Sequence, residues 1–272
     1  MKRLNKIYTV LIFMFLYLPM LVLIVASFNT GKDITDFEGF TFRQYSALFR
    51  DRTLLTLLWH SLEVAVLSSL IATVMGTAAA VGIHRMRPRL RSLVLTVTNI
   101  PMTNPDIVTG VSLSLLFVFM GVLLRNNTIL GFWTLLIAHV TFNLPYVILN
   151  IMPKLSQMDP ALQEAALDLG CTPFQAFRKV TIHEIMPGII SGAIMAFTMS
   201  LDDFVISYFV YGPSYVTLPV EIYNYTKKPL QPKIYALFAL LFALILLMMV
   251  LMNLLQARSE RKKNLQHTAH AI

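Results

Sequence analysis

Long apolar runs alternate with short polar connections along the whole chain. Six runs, over residues 7–28, 58–83, 93–124, 132–152, 187–211 and 234–255, meet the roughly 20 apolar residues that a helix needs to cross a hydrocarbon core. The third run is long enough to hold a turn or a break, and Pro101 and Pro105 mark where a break is expected. The pattern therefore predicts an all-α membrane protein with six transmembrane helices. The first run exceeds the 7–15-residue core of a signal peptide, and Ile24-Val25-Ala26 is a weak cleavage site, so this run is expected to stay as a span.

The polar stretch between the fourth and fifth runs carries its own signals. Asp159 is a good N-cap, Pro160 takes the first helical position and Gly170 stands at the stop. Thr172 then caps a second helix, with Pro173 next and Gln175 completing a capping box. Leu162, Ala165, Ala166 and Leu169 fall at i, i+3, i+4 and i+7, which gives the first helix one small apolar face. A connection that only joined two spans would need neither helix. The segment is expected to dock into something.

Composition strengthens the membrane reading. The chain is 56% hydrophobic and 13% charged, with a mean hydropathy of +0.67, where a soluble domain carries about 25% charged residues. The basic residues give an orientation. Fourteen lie on one side of the spans: Lys2, Arg3, Lys6, Arg85, Arg87, Arg89, Arg91, Lys154, Arg178, Lys179, Arg258, Arg261, Lys262 and Lys263. The other side has eight: Lys32, Arg43, Arg50, Arg52, Arg125, Lys227, Lys228 and Lys233. The first side is expected to be cytoplasmic, with both termini and the Glu164 segment on it. The net charge of +8 then reports topology and attraction to anionic membrane lipid. Nucleic acid is a poor partner for charges that flank spans. The outer segment from Gly31 to Arg52 balances acids against bases and is expected to be a solvated loop leading to a short helix.

No catalytic chemistry is expected of this chain. There is no phosphate-binding loop, since Gly31-Lys32 lacks the flanking glycine and the Ser or Thr that such a loop needs. No nucleophile–base set and no metal-ligand set stand out. Cys171 is the single cysteine, so no intrachain disulfide can form. His60 and His139 lie in spans, where a single histidine is expected to bond between helices rather than to ligate.

The acids inside the runs carry the substrate argument. They are Glu63 in the second, Asp106 in the third, and Asp202 with Asp203 in the fifth. An ionised aspartate at the bilayer centre costs roughly 2.5–3.5 kcal/mol on insertion scales. Yet no Lys or Arg falls within any of the six runs. These acids are expected to lack a basic partner in their own membrane interior and to be protonated, paired with another subunit, hydrated, or met by a cationic solute. Counted along continuous helices, Asp106 and Asp202 reach one level, roughly 20 Å above the inner face. Asp202 and Asp203 are expected to point about 100° apart, one of them to the path. Phe204, Tyr208 and Tyr211 follow, and aromatic faces attract ammonium groups by about 0.5–2 kcal/mol.

Glu164-Ala165-Ala166, Gly170, Val180 and Ile182 resemble the EAA loop of the membrane subunits of ABC importers. The resemblance implies the type-1 (MetI-like) permease fold with a cytoplasmic coupling-helix loop. Glu164, Ala165, Ala166 and Gly170 would then mark the ATPase-docking element. The family's usual Leu-Pro pair is replaced by Ile182-His183, with a proline only at Pro187, which leaves the end of the second helix open. Asn104-Pro105-Asp106, Ser200-Leu201-Asp202-Asp203 and Phe209-Val210-Tyr211-Gly212-Pro213-Ser214-Tyr215 resemble permeases of spermidine/putrescine importers, and the similarity runs from the first span to the sixth.

That resemblance implies an inner-membrane importer made with a second permease subunit, two copies of a cytoplasmic ATPase that binds the ATP, and an extracytoplasmic polyamine-binding protein. Asp106, Asp202, Asp203, Tyr208 and Glu63 become candidate residues of a cation path. No cofactor of the chain's own is implied. Three parts are expected: residues 1–57 with the first helix and outer loop, a permease core over 58–257, and a basic tail over 258–272. A proton-coupled carrier of a cationic solute would also place acids in the membrane, but would have no use for the Glu164 loop. An importer of another solute (thiamine, an iron chelate or another amine) also stays open.

Overall fold

The computed structural model of the protein describes residues 2–31, 36–125, 129–227, 232–247 and 249–250. Its elements are α1 (Lys2–Ser27), α2 (Arg43–Arg50), α3 (Arg52–His84), α4 (Pro88–Thr103), α5 (Asp106–Leu123), α6 (Phe132–Gln157), α7 (Pro160–Asp168) and α8 (Pro173–Ala176). A π turn (Phe177–Thr181), α9 (Ile182–Leu201), α10 (Val205–Val210) and α11 (Leu218–Thr226) follow, and then α12 (Pro232–Leu247). Among the described residues the β-structure is two isolated bridges, Asn29 with Phe40 and Gly212 with Tyr215.

Among the described residues, five helical stretches are long and apolar enough to cross a membrane: Tyr8–Ser27, Arg52–His84, Asp106–Leu123, Phe132–Gln157 and Pro173–Leu201. The sixth expected run is represented by α12, a shorter apolar helix. Its last residues and the basic tail lie outside the described residues, as do Lys32 and Lys228.

Two expected spans are built differently. The third run is two helices, with α4 ending at Thr103 and α5 starting at Asp106. The break falls at Asn104-Pro105, because the proline drives the residue before it out of the helical region (Asn104 φ −82°, ψ 138°). Pro101, by contrast, is accommodated inside α4. The fifth run starts earlier and stops sooner than its hydropathy indicates. The helix begins at Pro173, runs through the π turn into α9 and ends at Leu201. The open question about the second hairpin helix is thus answered: it continues into the span, and Pro187 sits within α9.

The chain falls into two compact units. One comprises residues 1–56 and 222–251. In it the Phe28 ring packs on Phe40, Phe42 and Tyr45 with centroids 5.1–5.5 Å apart. The Asn29 side chain donates to the carbonyl of Asp36 (2.7 Å) and accepts from the amides of Gly31 and Glu38. The expected short helix is α2, and Asp51 after it pairs with Lys233 at 2.7 Å. That hydrogen bond holds the Asp51 carboxyl below its ordinary pKa.

The other unit, over residues 57–221, is organised around α6. Val147 on α6 is fully buried where α3 and α9 converge on it. A Cβ at Gly76 of α3 would stand 2.6 Å from the Val147 side chain, and one at Gly192 of α9 would stand 3.2 Å from its Cα. Close approach through glycine is how helices associate when lipid competes for apolar surface. A second cluster joins Val64, Phe117, Leu135, Ala138, Phe142, Ile206 and Val210, bringing α3, α5, α6 and α10 together.

Candidate functional site

Both broken spans carry their acids at the break. Asp106 is the first residue of α5, exposed, and follows Pro105. A carboxylate there faces the positive end of its helix dipole. Asp202 is the C-cap residue of α9 and is exposed too. Asp203 and Phe204 form the link to α10. The expectation that the two aspartates point about 100° apart on one helix is corrected, because the helix has ended before either residue.

Asp203 is turned inward, with its side chain only 7% exposed. Its carboxylate accepts from the amides of Ile206 (3.3 Å) and Ser207 (2.7 Å), and so caps the first turn of α10. It also lies 3.5 Å from Nε2 of His139 on α6. The reading that every intramembrane acid lacks a basic partner is therefore corrected for Asp203. His139 is buried and bonds between helices: Nδ1 to the Ser200 hydroxyl on α9 (2.5 Å) and Nε2 to the Ser207 hydroxyl on α10 (2.9 Å). Ser200 bonds in turn to Ser68 on α3 at 2.9 Å.

Glu63 is also engaged. The Tyr215 hydroxyl donates to it at 2.7 Å, and the Tyr215 ring stacks on His60 with centroids 3.9 Å apart. Burial, reinforced by the Glu63 carboxylate, pushes the Tyr215 phenol above its ordinary pKa. Gly212 lets this loop close. A side chain there would run into the backbone of Leu130 and Gly131.

Asp106 and Asp202 are placed alike. α5 and α10 pack against each other where Gly110 faces Ile206 and Phe209. Asp106 precedes Gly110 by one turn of α5, and Asp202 stands four residues before Ile206 in sequence, across the non-helical link. The two exposed acids thus lie just before one helix contact. This replaces a depth counted along helices that are not continuous. Two helix C-termini, those of α4 and α9, end at the same breaks and add their negative dipole ends. Half-buried Tyr208 on α10 stands within a ring cluster, 5.4 Å from Phe204 and 6.2 Å from Tyr211.

The hairpin is a separate surface. The Asp159 carboxylate accepts from the Ala161 amide at 3.0 Å. At the far end of α7, the Gly170 amide reaches the Leu167 carbonyl (2.9 Å) and the Cys171 amide the Ala166 carbonyl (3.0 Å). These two bonds are a Schellman stop. Gly170 takes φ +85°, where a Cβ would be strained. Thr172 and Gln175 form the reciprocal box that starts α8. Ala166 packs inward, while Glu164, Ala165, Leu162, Leu169 and Phe174 are exposed, Leu169 at 86% and Phe174 at 71%. A cleft of about 300 Å³ beneath α7 is lined by His84, Arg85, Gln163, Glu164 and Thr181. Among the described residues no group of acids, histidines and cysteine is arranged to hold a metal ion.

The serines of the buried network, Ser68, Ser200 and Ser207, were not legible as site residues. Their one local signal is Asp203 standing before an apolar run that contains Ser207, which is a cap pattern read from inside an apparent span.

This architecture has known counterparts. A chain of a bacterial ABC transporter involved in the import of the acidic polysaccharide alginate superposes with a TM-score of 0.73 at 17% identity, over 94% of this chain and 96% of that one. A chain of the MetNI methionine ABC transporter gives 0.58 at 20% identity, over 76% and 93%. The fold is that of type-1 ABC importer permeases. In sequence, the chain is 40% identical to the spermidine/putrescine transport system permease protein PotC of Escherichia coli over 83% of each chain. It is 38% identical to the putrescine transport system permease protein PotI of Escherichia coli over 92% of this chain and 90% of that one. The profile of the binding-protein-dependent transport system inner membrane component matches residues 72–264. The chain belongs to that family, as a non-catalytic membrane subunit of an ABC importer.

Proposed function

We propose that this subunit forms half of the path of an ATP-driven polyamine importer, with spermidine or putrescine as cargo. The carrying observation is the pair Asp106 and Asp202: two exposed carboxylates, each at a helix break, set just before one helix contact. A polyamine carries several ammonium groups on a flexible chain. Spaced carboxylates and helix C-termini can replace part of its hydration, while exposure keeps the binding weak enough for release. Tyr208 lies beside this path, and Glu63 with Tyr215 shapes its outer end. The names of the curated relatives support the same cargo.

The partners are a second permease, two copies of a cytoplasmic ATPase and an extracytoplasmic polyamine-binding protein. Both termini and the hairpin lie on the cytoplasmic side, as the basic residues indicate. The exposed apolar face of α7 and Phe174 enter the ATPase. From there the 29 residues of Pro173–Leu201, about 43 Å of helix, join the hairpin to Asp202. Closure of the ATPases on ATP moves the hairpin and turns the path outward; hydrolysis returns it. A proton-coupled carrier would leave this connection without a purpose.

The test is labelled spermidine uptake into proteoliposomes that contain the complete complex and its loaded binding protein. Asp106→Asn and Asp202→Asn should each lower uptake about tenfold, which corresponds to about 1.4 kcal/mol. Wild-type uptake in both variants and in the double variant would remove these acids from the path.

A further inference from the structure

One imidazole holds the chain on both sides of Asp202. His139 bonds to Ser200, two residues before it, at 2.5 Å, and approaches the carboxylate of Asp203, the residue after it, at 3.5 Å. The grip extends to Ser207 on α10 at 2.9 Å and, through Ser200, to Ser68 on α3. We propose that His139 is a positioning residue for transport: by fixing the break between α9 and α10 it sets where the Asp202 carboxylate stands in the path. The inference rests on the path reading given above.

The physical need is plain. α10 has six residues, too few to hold a helix by itself, and its first turn depends on the Asp203 carboxylate. A hydrogen bond between helices in a membrane contributes little to stability on average, so this knot adds modestly to it. What a buried network adds is a unique geometry, because each member must keep its partner. The carboxylate is satisfied on one face by two amides and fixed on the other by the imidazole. Asp203 therefore cannot swing toward the path without leaving two amides unpaired and drawing away from the imidazole, and Asp202 is left as the exposed acid. An apolar side chain at 139 would fill the space but would not set the rotation of the link.

The experiment uses the complete complex in proteoliposomes, with His139→Leu, His139→Gln and Ser200→Ala. A positional readout comes from Asp202→Cys on the Cys171→Ser parent, labelled by a cationic thiosulfonate with and without each substitution. With positioning, His139→Leu lowers spermidine uptake about tenfold while the ATPase still co-purifies, and changes the labelling rate at position 202 several-fold. His139→Gln, which can keep one bond, recovers part of both, and Ser200→Ala falls between. The proposal is overturned if labelling and uptake are unchanged in His139→Leu and Ser200→Ala. It is equally overturned if His139→Leu prevents assembly while His139→Gln and Ser200→Ala label and transport as the parent does, since the residue would then serve folding alone. Wild-type uptake in Asp106→Asn, Asp202→Asn and the double variant would instead sink the path reading, and the labelling result would still report whether His139 sets the link.

Discussion

The two helix breaks use the same residue type in opposite ways. At the α9–α10 break, Asp203 is buried and spoken for by two amides and an imidazole. At the α4–α5 break, Asp106 is exposed at the start of its helix. An acid in an apolar run is therefore not one kind of evidence. Its meaning depends on whether the chain around it supplies donors. Asp203 and Glu63 meet donors from within the fold, whereas Asp106 and Asp202 present their charge outward.

Removing the inward acid should break the structure before the transport. Asp203→Ala leaves the Ile206 and Ser207 amides without their acceptor and is expected to cost about 2–3 kcal/mol. Asp106→Ala should stay within about 0.5 kcal/mol. Thermal unfolding of the purified complex checks both, and equal losses would erase the contrast. Next comes the seam that sets the two breaks side by side. A Cβ at Gly110 would meet the Phe209 ring at 2.9 Å and the Ile206 Cα at 3.3 Å. Gly110→Ala should cost about 1–3 kcal/mol and lower uptake with it. A variant of wild-type stability would mean that the helices part there freely.

Tyr215→Phe tests the second inward acid more gently. It removes the donor to Glu63 and should cost about 1 kcal/mol with little change in path charge. The smallest effect belongs to the surface pair Asp51 and Lys233. Because the folded pKa of Asp51 is depressed by Lys233, the pair's stabilisation is present above the unfolded value of about 3.9. It is lost as pH falls through the lower folded value. Lys233→Met should thus differ from wild type by well under 1 kcal/mol at neutral pH, and the two should converge in acid. A difference that persisted below pH ~3 would show that Lys233 acts through packing.

Local rules were legible in the sequence and distant pairings were not. The caps at Asp159 and Thr172 and the stop at Gly170 lie within a few residues of their partners, and the structure forms each of them. Pro105 signalled its break for the same reason. The end of α9 was hidden because Phe204 to Val210 are as apolar as the residues before, so hydropathy runs on where the helix stops. The π turn left no mark in composition. His139 and Asp203 are separated by the whole hairpin and α9, and a single sequence gives no account of which buried polar groups will meet across such a distance. Of the apolar face expected on α7, Ala166 alone is buried, so spacing located the stripe but not the side that faces the protein.

The contact at Val147 carries a mechanical consequence. Gly192 touches α6 well past the midpoint of the helix that starts at Pro173, leaving arms of about 28 Å toward the hairpin and about 14 Å toward Leu201 at 1.5 Å per residue. Gly188, one turn earlier, is pressed to α6 as well: a Cβ there would stand 2.8 Å from the Asn150 carbonyl oxygen. A helix seated at two successive glycines is expected to carry a push on the hairpin to Leu201 together with α6, as one packed pair.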